Sequence, residues 1–264
     1  MDRHDEHAFV LRQSKMVAYE PSFLHLLFCS SRALFVDTGA TPDPDRWPVR
    51  ETVDRLIAQW LAEHARTSYP LVVAHTHGHG DHVAGDPAFG CRPDTTVVGE
   101  DCQSVVDFYG FTRWPDQVVQ VDLGGRVLEV TGTPGHHECS ISILDAWTGF
   151  LLTGETVYPG RLCVQDMAAF TASLDRMLRL AESRGVRHVM GCHIEMSRTP
   201  GRTTRSVRHT SRRSHRCRRP KTSCPRYAMP QFRLRTRQVG MSSITSSSST
   251  DRPGQPSPGR YSDA

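Results

Sequence analysis

The stretch 71–82, Leu71-Val72-Val73-Ala74-His75-Thr76-His77-Gly78-His79-Gly80-Asp81-His82, joins a short apolar run directly to a dense cluster of ionisable side chains. Four apolar residues bounded by polar ones have the length and composition of a buried strand. Where that strand ends, His77, His79, Asp81 and His82 place four potential metal ligands within six residues. Imidazole and carboxylate ligands suit zinc, iron or manganese. Gly78 and Gly80 permit a tight backbone path between them. A merely solvated polar loop, or a His-rich patch binding metal adventitiously, would not require this coincidence of His, Asp and strand end.

Working outward, residues 23–29 and 33–36 read as a hairpin of short strands whose second run ends at Asp37-Thr38-Gly39. A helix is expected over 49–64, because Val53, Leu56, Ile57, Trp60 and Leu61 recur on one helical face, with Pro48 suited to its first turn. Further strands are expected at 95–98, 118–121, 126–131, 140–144 and 150–152, with a short helix at 101–109. A longer helix fits 167–184, with Phe170, Leu174, Met177, Leu178 and Ala181 on one face, Asp166 as N-cap and Gly185 as the stop. Residues 186–190 form the last strand-like run. Strands with a few helices and no regular βαβ repeat indicate an α+β fold, sheets covered by helices on their outer faces.

The charge is unevenly distributed. Residues 1–197 hold 16 of the 32 Lys and Arg but 26 of the 28 Asp and Glu, a balance of −10 that leaves +14 on the remainder. From Pro200 the chain turns into Arg, Ser, Thr and Pro without a sustained period, so the expected organisation is a domain over 1–199 and a basic, disordered tail over 200–264. No stretch approaches the ~20 apolar residues of a membrane span, and residues 1–7 are polar and acidic, unlike a secretory leader. A cytoplasmic protein is expected. The eight cysteines, Cys29, Cys91, Cys102, Cys139, Cys163, Cys192, Cys217 and Cys224, lack C-x-x-C pairing, and most are expected to be buried, reduced thiols.

With these residues in view, the chain resembles the metallo-β-lactamase superfamily. His77, His79, Asp81 and His82 match every position of that family's H-x-H-x-D-H motif. The resemblance runs from about Val17 to His193 and includes the 35–39 strand end, Thr133-Pro134-Gly135-His136, Leu152-Thr153-Gly154-Glu155 and Gly191-Cys192-His193. It implies an αββα sandwich, two mixed β-sheets flanked by helices. It also implies a site for two divalent metal ions, zinc above iron or manganese. His77, His79 and His136 would hold one ion, Asp81, His82 and His193 the other, and Glu155 would bridge them. The departure is Glu155, since hydrolytic members usually carry Asp there; its alternative role is as an acceptor for contacts near the site.

The activity implied is that of a binuclear metallo-hydrolase using a metal-bound hydroxide on an ester, thioester, lactone or amide of a small molecule. Asp81 would orient the nucleophile and protonate the leaving group. The alternatives are a nuclease or phosphodiesterase of the same fold, favoured by the basic tail, and a mononuclear iron oxygenase on the same scaffold. Nucleic acid is not the expected partner, because the domain is acidic, and neither is a membrane; oligomeric state is not legible. Asp37 is either an acceptor for a ligand imidazole or a turn residue. His75, His137 and His188 are expected to be ordinary packed histidines and Cys192 a buried thiol. Tyr158 and Arg161 fall where a substrate-facing loop would lie.

Overall fold

The computed structural model describes residues 1–18 and 21–195. The tail expected over 200–264, and the end of the expected domain, lie outside the described residues.

Two β-sheets carry the fold. The first contains β1 (Asp2–Arg3), β2 (Ala8–Arg12), β3 (Phe23–Phe28), β4 (Ala33–Val36), β5 (Leu71–Ala74) and β6 (Thr95–Val97), paired in that order. Strands β1 to β4 pair antiparallel with one another, whereas β4, β5 and β6 pair in parallel. The second sheet follows the order β11-β10-β9-β8-β7, built from β7 (Val118–Asp122), β8 (Val127–Gly132), β9 (Ile141–Asp145), β10 (Phe150–Gly154) and β11 (His188–Gly191). Both sheets are mixed, because β10 and β11 are parallel and the rest of the second sheet is antiparallel.

Strand alternation decides the layers. In β3, β4 and β5, Leu24, Leu26, Phe28, Phe35, Leu71 and Val73 pack with Val53, Leu56, Ile57 and Trp60 of α1 (Val49–Glu63). From the opposite faces, Leu27, Leu34, Val36, Val72 and Ala74 join Leu128, Val130, Ile141, Ile143, Phe150 and Leu152 in a core between the sheets. Leu144 and Leu151 point out of the second sheet onto Met177 and Leu180 of α4 (Met167–Arg184). The order is helix, sheet, sheet, helix, the αββα sandwich expected.

The sheets are also clamped by a buried arginine immediately before β8. Arg126 donates Nε to Asp145 Oδ1 at 3.0 Å within the second sheet and Nη1 to the carbonyls of Phe28 at 2.9 Å and His7 at 2.8 Å in the first. Both members of the Arg126–Asp145 pair are fully buried.

Most expected elements appear within one or two residues of their expected bounds. Asp166 caps α4 by accepting from Ala169 N at 3.0 Å, and Gly185 closes it in the left-handed conformation. Two differences stand out. The domain opens with β1 and β2 rather than with β3, because β2 draws its place from pairing with β3, which a short run of polar surroundings does not announce. Part of the expected His loop is a helical turn, α2 (Gly80–Val83), too short to show a period. Among the described residues, no helix is long and apolar enough to cross a membrane.

The cysteine expectation is corrected. Among the described residues, Cys102 and Cys139 form a disulfide, Cys91 and Cys163 are exposed, and Cys29 and Cys192 alone match a buried thiol. Residues 37 apart in sequence meet because α3 (Cys102–Tyr109) begins beside the loop that leaves β8.

Candidate metal centre

The parallel strands β4 and β5 end side by side, the Asp37 amide donating to the Ala74 carbonyl at 2.8 Å. The loops leaving β8, β10 and β11 arrive at the same edge from the second sheet. Ile141 N donates to Thr76 O at 2.9 Å, Phe23 N to Cys192 O at 2.7 Å and Ser22 Oγ to Asp81 O at 2.9 Å. The first two bonds tie the two sheet ends together across the site, and the third holds the start of β3 against the turn that carries Asp81.

Each expected ligand reaches this edge, in two groups. In the first, His79 Nδ1 lies 3.1 Å from His77 Nε2 and 3.0 Å from His136 Nε2. Glu155 closes the group, Oε2 at 3.1 Å from His136 Nε2 and Oε1 at 3.8 Å from His77 Nε2. In the second, Glu155 Oε1 lies 3.4 Å from His82 Nε2 and 3.2 Å from His193 Nε2. Asp81 Oδ2 lies 3.2 Å from His193 Nε2 and 3.6 Å from His82 Nε2. Glu155 therefore faces both groups. A register shift between Leu152 and Gly154 in the β10–β11 pair and Gly154 at φ +53° bend the chain just before Glu155. Gly154 is also needed for space: a Cβ there would fall 2.8 Å from Thr76 Cβ. By contrast, a Cβ on Gly80 would meet nothing, so the glycine requirement expected there is absent.

The ring orientations are fixed from behind. His136 donates Nδ1–H to the Cys163 carbonyl at 2.7 Å, which leaves Nε2 as the lone-pair nitrogen. His82 donates Nδ1–H to Asp37 Oδ2 at 2.9 Å, and Thr76 N holds Asp37 Oδ1 at 2.8 Å. Asp37, buried with φ +65°, is thus an acceptor for an imidazole of the site and also a turn residue.

The charge balance is asymmetric. Burial and the neighbouring imidazoles push His77 well below its ordinary pKa, and burial with His136 and His137 does the same to His79. Burial also opposes the charged form of His82, but Asp37 overrides it and holds that ring well above the ordinary range. His193 is raised to about 12, the hydrogen bond to Asp81 outweighing burial. Burial disfavours ionised Glu155 and Asp81, yet the His193 contact and surrounding imidazoles hold both carboxyls below the usual range.

Both groups are of a kind and spacing that could hold a divalent cation. Around a tetrahedral zinc with Zn–N of about 2.0–2.1 Å, ligand nitrogens stand about 3.3–3.4 Å apart, close to the spacing of the first group. Nitrogen lone pairs packed this tightly repel unless something sits between them. His82 Nε2 is fully buried and has no hydrogen-bond partner among the described residues, since its approach to Glu155 lacks hydrogen-bond geometry.

The side residues resolve as follows. His75 is buried with Nε2 3.0 Å from Asp86 Oδ2, a packed histidine as expected, whereas His188 is exposed and meets Phe150 only through one edge-on ring contact. His137 borders the first group, ring centroid 5.0 Å from His79, and accepts from Cys139 N at 3.2 Å. The Tyr158 ring stands 5.6 Å from His193, while its hydroxyl donates to the Arg161 carbonyl at 2.6 Å and the Arg161 side chain is exposed. Cys192 is the buried thiol expected, and it also brings its Sγ within 4.8 Å of the ligand atoms of His82, Glu155 and His193. Its adjacency to His193 was the available signal.

With this geometry established, the fold is that of the metallo-β-lactamases. Metallo-β-lactamases from Pontibacter korlensis and Hirschia baltica superpose with TM-scores of 0.50 and 0.50, at 15% and 16% identity, over 73% of this chain and 89% of each of theirs. The lactamase-like protein vrtG of Penicillium aethiopicum is 34% identical over 135 residues, 47% of this chain and 41% of that protein. Hydroxyacylglutathione hydrolase of Anaeromyxobacter dehalogenans is 30% identical over 142 residues, 52% of this chain and 46% of that enzyme. The corresponding enzyme of a Synechococcus strain is 29% identical over 186 residues, 67% and 66% of the two chains. The chain shares the fold of the metallo-β-lactamases and is similar in sequence, over part of its length, to these relatives. It spans about half the length of the first two of these relatives. No family model matches it.

Proposed function

We propose that this protein is a metallo-hydrolase that cleaves an ester, thioester, lactone or amide of a small molecule at a site holding two divalent cations, zinc foremost. The observation that carries the reading is the single carboxylate of Glu155 lying between two groups of histidine nitrogens. His77, His79 and His136 would hold one cation, Asp81, His82 and His193 the other, with Glu155 shared. Bound there, the cations would acidify a water between them and polarise the oxygen of the scissile carbonyl.

The chain's own groups supply the rest. Asp37 fixes the His82 tautomer, and the Cys163 carbonyl fixes that of His136. Asp81, with its side chain 30% exposed, is the one acidic ligand open to substrate. A carboxyl held below the usual range is a poor acceptor for a proton from ordinary water and works only on an acidified one. Having taken that proton, Asp81 can deliver it to the leaving group. Arg161 is exposed, and its carbonyl accepts from Tyr158, whose ring stands beside His193.

Relatives bearing the name hydroxyacylglutathione hydrolase make that compound the first to try. The test is turnover by the zinc-loaded full chain on a panel of hydroxyacylglutathione, lactones, amides, phosphodiesters and β-lactams. Hydrolysis of an acyl substrate that chelation abolishes and zinc restores supports the proposal. Turnover confined to phosphodiesters, or none on any class, overturns it.

A further inference from the structure

We propose that Cys192 is a fifth protein ligand of the second cation position, supplying a thiolate beside His82, His193, Asp81 and Glu155. The inference rests on the two-cation reading above and adds to it a soft ligand that the first position lacks.

The backbone of Cys192 is pinned on both sides. Its N–H donates to the Gly154 carbonyl at 3.1 Å, and its carbonyl accepts from Phe23 N at 2.7 Å. The side chain leaves this fixed point at the end of β11, 3% exposed and outside any disulfide. Its Sγ lies within 4.8 Å of the ligand atoms of His82, Glu155 and His193, a group that includes the buried and unpartnered Nε2 of His82. Two independent features thus converge on one point: a thiol held by strand-end hydrogen bonds, and a buried nitrogen with no partner aimed into the same space.

The charge count permits ligation. Two neutral imidazoles with Asp81 and a half share of Glu155 leave about half a positive charge on a divalent cation, which a thiolate turns into about half a negative one, so either ligand set is nearly neutral and the geometry decides between them. On binding, the S–H bond breaks, the proton leaves to solvent and the freed lone pair forms the metal–sulfur bond. The two positions then differ in kind. The first offers three imidazoles and a carboxylate, whereas the second offers sulfur, which selects zinc, cobalt or cadmium over manganese or magnesium.

The test is cobalt substitution of the full chain. Apoprotein reloaded with two equivalents of Co(II) should show a near-ultraviolet sulfur-to-cobalt charge-transfer band, lost in Cys192→Ser and in Cys192→Ala and retained in Cys91→Ser. Zinc X-ray absorption on the unaltered chain gives a readout that does not depend on a variant folding, with one sulfur scatterer at about 2.3 Å per two zinc ions expected. Two bound metals with no sulfur scatterer, or a band that survives loss of Cys192, would overturn the thiolate while leaving the metallo-hydrolase intact. No bound metal at all would overturn both.

Discussion

His82 Nδ1 and Asp37 Oδ2 are 2.9 Å apart although 45 residues separate them, because β4 and β5 run parallel and end at one level. The bond fixes which imidazole nitrogen faces the site. Asp37→Asn keeps the shape and tolerates the positive φ, but removes the charge and a full-strength acceptor. Affinity at the second cation position should fall about 10- to 100-fold, with the first little changed. Calorimetric zinc titration of variant and parent checks this, and equal weakening of both positions would contradict it.

Metal content should follow the grouping of ligands. Elemental analysis of the parent is expected to give two ions per chain. His77→Ala should retain about one, because only the first group loses a ligand. Glu155→Ala should retain one or none, because its carboxylate faces both groups. Glu155→Asp withdraws the carboxylate by about 1.5 Å, one carbon–carbon bond. From starting distances of 3.1–3.8 Å to four imidazole nitrogens, that variant should bind its ions more weakly than the parent. A single iron per chain in the parent would instead point to the oxygenase alternative.

Breaking the Arg126–Asp145 pair should be costly out of proportion to its distance from the site. Arg126→Met strands a fully buried carboxylate and frees the Phe28 and His7 carbonyls, so unfolding free energy should drop by about 3–5 kcal/mol. Urea unfolding measures it. A loss under about 1 kcal/mol would mean that the two sheets do not depend on this clamp.

His25 should make stability sensitive to acid. Burial lowers its pKa from the ordinary 6.5 to about 4, against the pull of Asp37. The unfolded chain therefore binds the proton first as pH falls. Its contribution is fully present above pH 6.5 and is lost as pH drops towards 4, roughly 3 kcal/mol in all. His25→Leu removes the proton uptake, so the stability of the variant relative to the parent should rise between pH 7 and pH 4.5. A constant difference across that range would refute the assignment.

Much of the fold and site was already written locally. The apolar run 71–74, the helical stripe from Val53 to Leu61, the caps Asp166 and Gly185, and the His77-x-His79-x-Asp81-His82 spacing each depend on neighbours a few residues away, and short-range patterns of that kind survive in the bare sequence. What tertiary structure alone decided are the pairings between distant segments. These are β2 against β3, Cys102 with Cys139, Arg126 reaching across both sheets, and Cys192 turned towards His82. Glu155 belongs with them. Its residue type suggested a carboxylate of the wrong length, and only the register shift and the turn at Gly154 show how it reaches both groups. The physical reason is common to all five: each contact depends on the relative placement of two chain segments, which is fixed by sheet packing and not by the residues that make the contact.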